Sequence, residues 1–162
     1  MAPADIDETR ARQSCHATMR NAWHGKRPAV AASDGFVLGG DTVVACGRRI
    51  LPKAEDEVTA RKCLELLSGR RHRVLSAVAL AGPDGSLRER LSETVVRFKR
   101  LSAEELDAYL AGGEWESKAG GYAIQGAAEG LIASIQGSHS GVVGLPLYET
   151  RALLKAAGFA IP

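Results

Sequence analysis

Residues 73–98 read RVLSAVALAGPDGSLRERLSETVVRF, and this stretch decides the fold class. Arg73 to Ala81 is a strand by composition, Pro83-Asp84-Gly85 is a turn, and Leu91 to Phe98 is a second strand. There Thr94, Val96 and Phe98 alternate with Glu93, Val95 and Arg97. The pair predicts an antiparallel hairpin. Upstream, Phe36-Val37-Leu38 and Val43-Val44-Ala45 flank a Gly-Gly-Asp-Thr step, and Cys46-Gly47-Arg48-Arg49 then turns the chain into Ile50-Leu51. This spacing predicts strand, turn and short strand.

Between these segments, Ala60, Cys63, Leu64 and Leu67 fall at i, i+3, i+4 and i+7, with Gly69 as a stop, which predicts a helix over 56–68. Beyond the hairpin, Ser102 and Glu105 form a capping box and Leu101 and Leu106 a hydrophobic staple. They predict a helix from about Ala103 to Leu110 that stops at Gly112-Gly113. A glycine-rich segment, Gly112 to Gly144, holds a predicted strand at Leu131 to Ile135. Pro146 then opens a last helix that ends near Gly158. Residues 1–33 show no stable apolar face and predict a weak helix or disorder. Irregular alternation of strands and helices around a hairpin gives an α/β chain with a mixed sheet.

The chain has 162 residues, 45% hydrophobic and 25% charged, which suits one domain able to build a core without disulfides. Its 21 Lys and Arg against 19 Asp and Glu leave a net charge of +2, which excludes the strong basic excess of a dedicated nucleic-acid binder. The three cysteines, Cys15, Cys46 and Cys63, are odd in number and widely spaced, as expected of a reducing compartment. With no run of 18 apolar residues and no apolar signal core near Met1, the expected setting is the cytoplasm, away from membranes.

Three segments draw attention as chemistry. In Gly39-Gly40-Asp41-Thr42-Val43-Val44 an acid interrupts an apolar strand, and a buried carboxylate needs a partner, although an Asp ending a strand in a turn reads equally well. In Lys118-Ala119-Gly120-Gly121-Tyr122-Ala123-Ile124-Gln125-Gly126, glycines permit close approach to a ligand. Lys118 offers a point charge there, and Gln125 offers a paired donor and acceptor. A surface loop is the plain alternative. Gly141-Val142-Val143-Gly144-Leu145-Pro146-Leu147 leads into a helix N-terminus where amides meet an anion, or simply packs the last helix. A zinc site at Cys15, His16 and His24 lacks a second ligand pair and is set aside. His72 and His139 read as structural or exposed, and Trp115 and Tyr122 as packing rings able to stack on a base.

In order, these blocks resemble the Maf-type nucleoside triphosphate pyrophosphatases, also known as septum-formation inhibitor homologues. The matching text is Asp41-Thr42-Val43-Val44, Ile50-Leu51 with Lys53 and Asp56, and Leu67-Ser68-Gly69 with His72 and Val74. It continues with Lys118-Ala119-Gly120, Tyr122 and Ile124-Gln125-Gly126, then Val142 to Leu147 with Glu149-Thr150. The resemblance runs from about residue 35 to the C-terminus. It sets a domain over 35–162 apart from an irregular segment over 1–34 that lacks the family's first strand and Ser-Pro-Arg-Arg loop.

The resemblance implies an elongated mixed sheet flanked by helices, as in inosine triphosphate pyrophosphatases, and a homodimer. The implied reaction takes a nucleoside triphosphate and water to the monophosphate and diphosphate, with a divalent cation, Mg or Mn, as cofactor. Asp41 maps onto the catalytic base and, with Glu8, onto the metal site; Lys53 and Lys118 map onto phosphate-facing lysines. Thr42 and Gln125 map onto positions that distinguish bases. A Gln amide accepts from N3–H and donates to O4 of uracil or thymine, which implies dTTP and UTP. Ser117 stands where the family carries Asp before the lysine, and Pro52 and Ala54 stand where a Gly and a Pro usually flank Lys53. The missing loop and that Ser leave a second expectation open: a catalytically impaired nucleotide-binding or cell-division regulatory homologue.

Overall fold

The structure, a computed structural model, describes residues 35–161 together with Gln13 and Ala17. Glu8, Cys15, His16 and His24, and the segment 1–34 as a unit, lie outside the described residues. The described chain forms β1 (Val37–Cys46), β2 (Arg49–Leu51), α1 (Glu57–Leu67), β3 (Arg71–Ala81), β4 (Leu87–Phe98) and α2 (Ala103–Ala111). A 3-10 turn (Ala127–Leu131), β5 (Ile132–Gln136), α3 (His139–Val143) and α4 (Leu147–Ala156) complete it. The strands make one sheet in the order β2-β1-β3-β4-β5, flanked by helices, as an α/β fold requires. Every pairing among the described residues is antiparallel, so the parallel component of a mixed sheet is not among them.

The hairpin is the frame. β3 and β4 pair from Arg71↔Arg97 to Ala81↔Leu87. The turn closes through Gly82 N–H on the Ser86 carbonyl, with the Asp84 carboxylate accepting from Ser86 N–H at 3.0 Å. Two expected boundaries shift. β4 begins at Leu87 rather than Leu91, and β3 at Arg71 rather than Arg73, which places His72 inside the strand. The expected turn at Cys46-Gly47-Arg48-Arg49 joins β1 to β2, but the alternative in which Asp41 ends a strand in a turn does not hold. β1 runs unbroken through the Gly-Gly-Asp-Thr step, because Val37 to Ala45 pair residue by residue with Ala81 to Arg73 of β3.

Side chains alternate between the two faces of the sheet. On one face Val44, Cys46, Val74, Val96 and Phe98 are buried with Ala60, Cys63, Leu64 and Leu67 of α1 and with Leu106, Tyr109 and Leu110 of α2. On the same face, further along, Val78 and Leu80 meet Leu153 of α4. The opposite face buries Val43, Ala45, Leu75, Ala77 and Ala79 beside Leu91. Full burial of a Leu such as Leu64 contributes about 1.5–3 kcal/mol.

The caps set where the helices start and stop. The Asp56 carboxylate accepts from Thr59 N–H at 2.7 Å at the start of α1, and Gly69 just beyond it adopts φ +69°. The Ser102–Glu105 box is formed in both directions at α2. Pro146 stands one residue before α4, as its cap rather than its first turn.

Candidate active site

A cleft of about 300 Å³ opens where β1 and β3 meet the loop over 117–125 and the end of α3. Gly40, Asp41, Thr42, Val44 and Val74 from β1 and β3 line it. So do Lys53, then Ser117, Lys118, Ala119, Tyr122, Ala123 and Gln125, and finally Val142 to Gly144 at the end of α3. Asp41, Thr42, Lys53, Lys118 and Gln125 all line this cleft; Asp41, paired with Ala77, alternates with Thr42 along β1 and borders the cleft where that strand runs beyond its pairing with β2, while Glu8 lies outside the described residues. A larger hollow of about 610 Å³ lies by Ser68 to Arg70 and Arg97 to Arg100; its lining has no carboxylate, and none of these five residues reaches it.

Lys53 and Lys118 come together through backbone. Lys53 and Ala119 form an isolated antiparallel bridge. Around it, Ala54 N–H donates to the Lys118 carbonyl at 3.0 Å, Gly120 N–H to the Pro52 carbonyl at 3.0 Å and Ser117 N–H to the Ala54 carbonyl at 2.8 Å. The loop then lies flat on the core. Gly120 and Gly121 both have φ +72°; a Cβ on Gly120 would press on Val44 at 3.0 Å, and one on Gly121 on the Ala60 backbone at 3.2 Å. Here glycine is required both by conformation and by space.

The Tyr122 hydroxyl and the His72 Nε2 lie 2.7 Å apart, both buried, and Phe98 closes the cluster at 5.1 Å from the Tyr122 ring. Burial lowers the His72 imidazole from 6.5 to about 4, and it raises the Tyr122 phenol well above its ordinary value. Trp115 donates its Nε1–H to the Leu110 carbonyl at 2.8 Å and packs on the core, so it does not line the cleft. His139 is exposed at the start of α3.

At the floor, burial raises the Asp41 carboxyl, while the Thr42 backbone N–H and the Lys53 charge pull it back down. Thr42 Oγ1 lies 3.0 Å from Ser76 Oγ, and the Ser76 hydroxyl donates to the Gly141 carbonyl. Ser76 has one proton and uses it there, so Thr42 donates to Ser76 and presents only acceptor lone pairs elsewhere. Ser76 is a residue that the motif reading misses. Its signal is a lone Ser in the apolar run VLSAVALA, on the face shared by Val74 and Val78.

The arrangement combines one carboxylate, two ammonium groups and an amide around a hollow floored by a sheet. It can hold a phosphate chain and offer a base to water. A family model described as Maf-like protein matches residues 1–157, a span that includes the first 34 residues as well as the blocks quoted above. A dTTP/UTP pyrophosphatase of Novosphingobium aromaticivorans is 64% identical over 160 residues, covering 97% of this chain and 80% of that protein. Those of Paramagnetospirillum magneticum and Caulobacter vibrioides are each 56% identical, covering 98% and 97% of this chain and 85% and 83% of theirs. Likeness of this depth, over nearly the whole chain, makes the chain a member of the Maf-like protein family.

Proposed function

We infer that this protein is a nucleoside triphosphate pyrophosphatase of the dTTP/UTP type. The reading is carried by the meeting of Asp41, Lys53, Lys118 and Gln125 in one cleft, in a chain 64% identical to a dTTP/UTP pyrophosphatase. In the reaction, water attacks the α-phosphorus, the bond from that phosphorus to the bridging oxygen breaks, and diphosphate leaves from the monophosphate. Asp41 accepts the proton of the attacking water; its partial burial, which raises its affinity for a proton, suits it to that task. Lys53 and Lys118, on two segments joined by the backbone bridge and both lining the cleft, stabilise the charge that grows on the departing diphosphate. Gln125, exposed at the cleft, pairs with N3–H and O4 of uracil or thymine, while Thr42, its proton committed to Ser76, stands at the other position that the resemblance assigns to telling bases apart.

A divalent cation belongs to the same reading. Among the described residues no group of three or more His, Cys, Asp or Glu gathers to form a protein cage. Mg²⁺ instead typically takes one or two carboxylates together with substrate phosphates and water, and Asp41, the one carboxylate lining the cleft among the described residues, fits that pattern. Asp41 would hold the ion, with Glu8 as a second proposed ligand; when bound, the ion supplies charge neutralisation at the phosphates.

A homodimer is carried over from the resemblance. A cytoplasmic setting is supported by the free, buried thiols of Cys46 and Cys63, and no helix of the described residues is long and apolar enough to cross a membrane. The decisive assay measures diphosphate release from UTP and dTTP with Mg²⁺ or Mn²⁺. Asp41→Asn should lower turnover by about 10²–10⁴-fold, the range for loss of a general base. Full turnover by Asp41→Asn, or release of orthophosphate instead of diphosphate, would refute the assignment; binding of UTP without turnover by the unaltered protein would point to the impaired homologue.

A further inference from the structure

Gln125 lies in the middle of a short backbone span that is tied down on both sides. Two residues before it, Ala123 N–H donates to the Tyr109 hydroxyl of α2 at 3.1 Å; two residues after it, Ala127 N–H donates to the Glu114 carboxylate at 2.8 Å. Between these ties Ile124 and Ala128 are buried, so the backbone of Gln125 is held while its side chain stays exposed at the cleft. Tyr109 is itself buried in the core. Glu114 sits in the turn after α2, and the next residue, Trp115, anchors that turn through its bond to the Leu110 carbonyl.

The Glu114 carboxylate is seated against Gly126. Gly126 caps the 3-10 turn without a side chain of its own, and a Cβ there would collide with the Glu114 carboxyl group. Its backbone is extended, a conformation open to any residue, so a side chain at this point would displace the Glu114 carboxylate and leave the backbone unstrained. Glu114 thus supplies from outside the cap that the 3-10 turn lacks. Glu114 does not line the cleft, and the nucleotide does not need to touch it.

We propose that Glu114 is a positioning residue for nucleobase selection: its carboxylate, seated on Gly126 and the Ala127 amide, fixes the position from which Gln125 reads the base. This rests on the pyrophosphatase reading for the identity of the ligand, but its own content is the link from Glu114 to base preference. A two-point hydrogen bond is sensitive to small displacements, because both atoms of the amide must meet their partners at once. Loosening the span therefore weakens recognition of uracil and spares the contacts at the phosphates.

The test compares the unaltered protein with Glu114→Ala, Glu114→Gln and Gly126→Ala. It measures Kd for the hydrolysis-resistant α,β-imido analogues of UTP and CTP, with kcat and KM for UTP and CTP themselves. Glu114→Ala should narrow the UTP-over-CTP preference by about fivefold, the weight of one hydrogen bond, through weaker UTP binding, with kcat within about twofold. Glu114→Gln keeps an acceptor oxygen and should retain most of the preference. Gly126→Ala, which expels the carboxylate from its seat, should reproduce the Glu114→Ala result.

An unchanged preference in Glu114→Ala, or a proportional loss for both nucleotides in Glu114→Ala and Glu114→Gln alike, overturns the proposal. So does an unaltered protein with no preference between the two analogues. An unaltered protein that binds the UTP analogue selectively but cleaves nothing refutes the pyrophosphatase reading and leaves the Kd comparison to decide the role of Glu114.

Discussion

Ser117 turns the chain through φ +58°, the left-handed region, immediately before Lys118. A Cβ crowds the following carbonyl in that conformation at a cost of roughly 1–2 kcal/mol, which glycine avoids. Glycine also loses more freedom on folding, by roughly 0.5–1 kcal/mol, so Ser117→Gly should gain about 0.5 kcal/mol of stability. Ser117→Val, with a β-branched side chain, should lose about 1 kcal/mol, in the range of such strained conformers. Urea unfolding midpoints separate the three proteins, and identical midpoints would mean that the turn carries no strain. This feature was not legible beforehand, because Ser has no strong preference for positive φ. Gly69 and the Ser102–Glu105 box were, since their chemistry signals their geometry. Asp41 lies between: the sequence raises the question of a partner for it, and only the strand pairing shows that it sits within β1 rather than in a turn.

At the scale of elements, the joint between the sheet and the Lys118 loop is the His72–Tyr122 contact, and it has a consequence for pH. His72 has a folded value of about 4 against 6.5 for an ordinary imidazole, because burial disfavours its charged form. Above pH 6.5 both states are neutral and the contribution is fully present. As pH falls below 6.5 the unfolded chain takes up a proton that the folded protein refuses, and stability is lost until about pH 4. The loss is about 2 kcal/mol between pH 7 and 5. Asp41, raised by its own burial, acts in the opposite sense, since the folded protein holds that proton longer than the unfolded chain. Urea unfolding at both pH values should show a steeper drop for the unaltered protein than for His72→Gln; equal drops would remove His72 as the cause. Nuclear magnetic resonance of the His72 ring gives a check without any variant, with no titration expected above about pH 5. The hairpin that frames this joint is legible from alternation, and α1 and α2 from their periodicity and caps. The Lys53–Ala119 bridge is not, since it joins segments far apart in sequence and neither carries a strand pattern. The 3-10 turn and α3 are short enough to leave no period at all.

For the whole molecule, the candidate cleft is bounded by β1, β3, the Lys118 loop and the end of α3, with the Thr42–Ser76–Gly141 chain of hydrogen bonds joining these elements. Net charge of only +2 provides little long-range attraction for a polyanion, so the proposed function assigns the affinity to local contacts such as Lys53 and Lys118. A ligand that binds only the folded state stabilises it by about 2.7 kcal/mol at one hundred times its Kd, which for a chain of this size raises Tm by roughly 5–10 °C. The α,β-imido analogue of UTP should therefore shift Tm by that amount in the presence of Mg²⁺. UMP at the same concentration, lacking the outer phosphates, should shift it far less. Removing one charge-assisted contact costs roughly tenfold or more in affinity, so Lys53→Ala and Lys118→Ala should each cut the shift by about half. Added salt should reduce it further in the unaltered protein, because the cleft is open to solvent and screening reaches the pair. A full shift in both lysine variants, or an equal shift with UMP, would mean that the triphosphate is not held between these two side chains, and the cleft would then have to grip its ligand through the base alone.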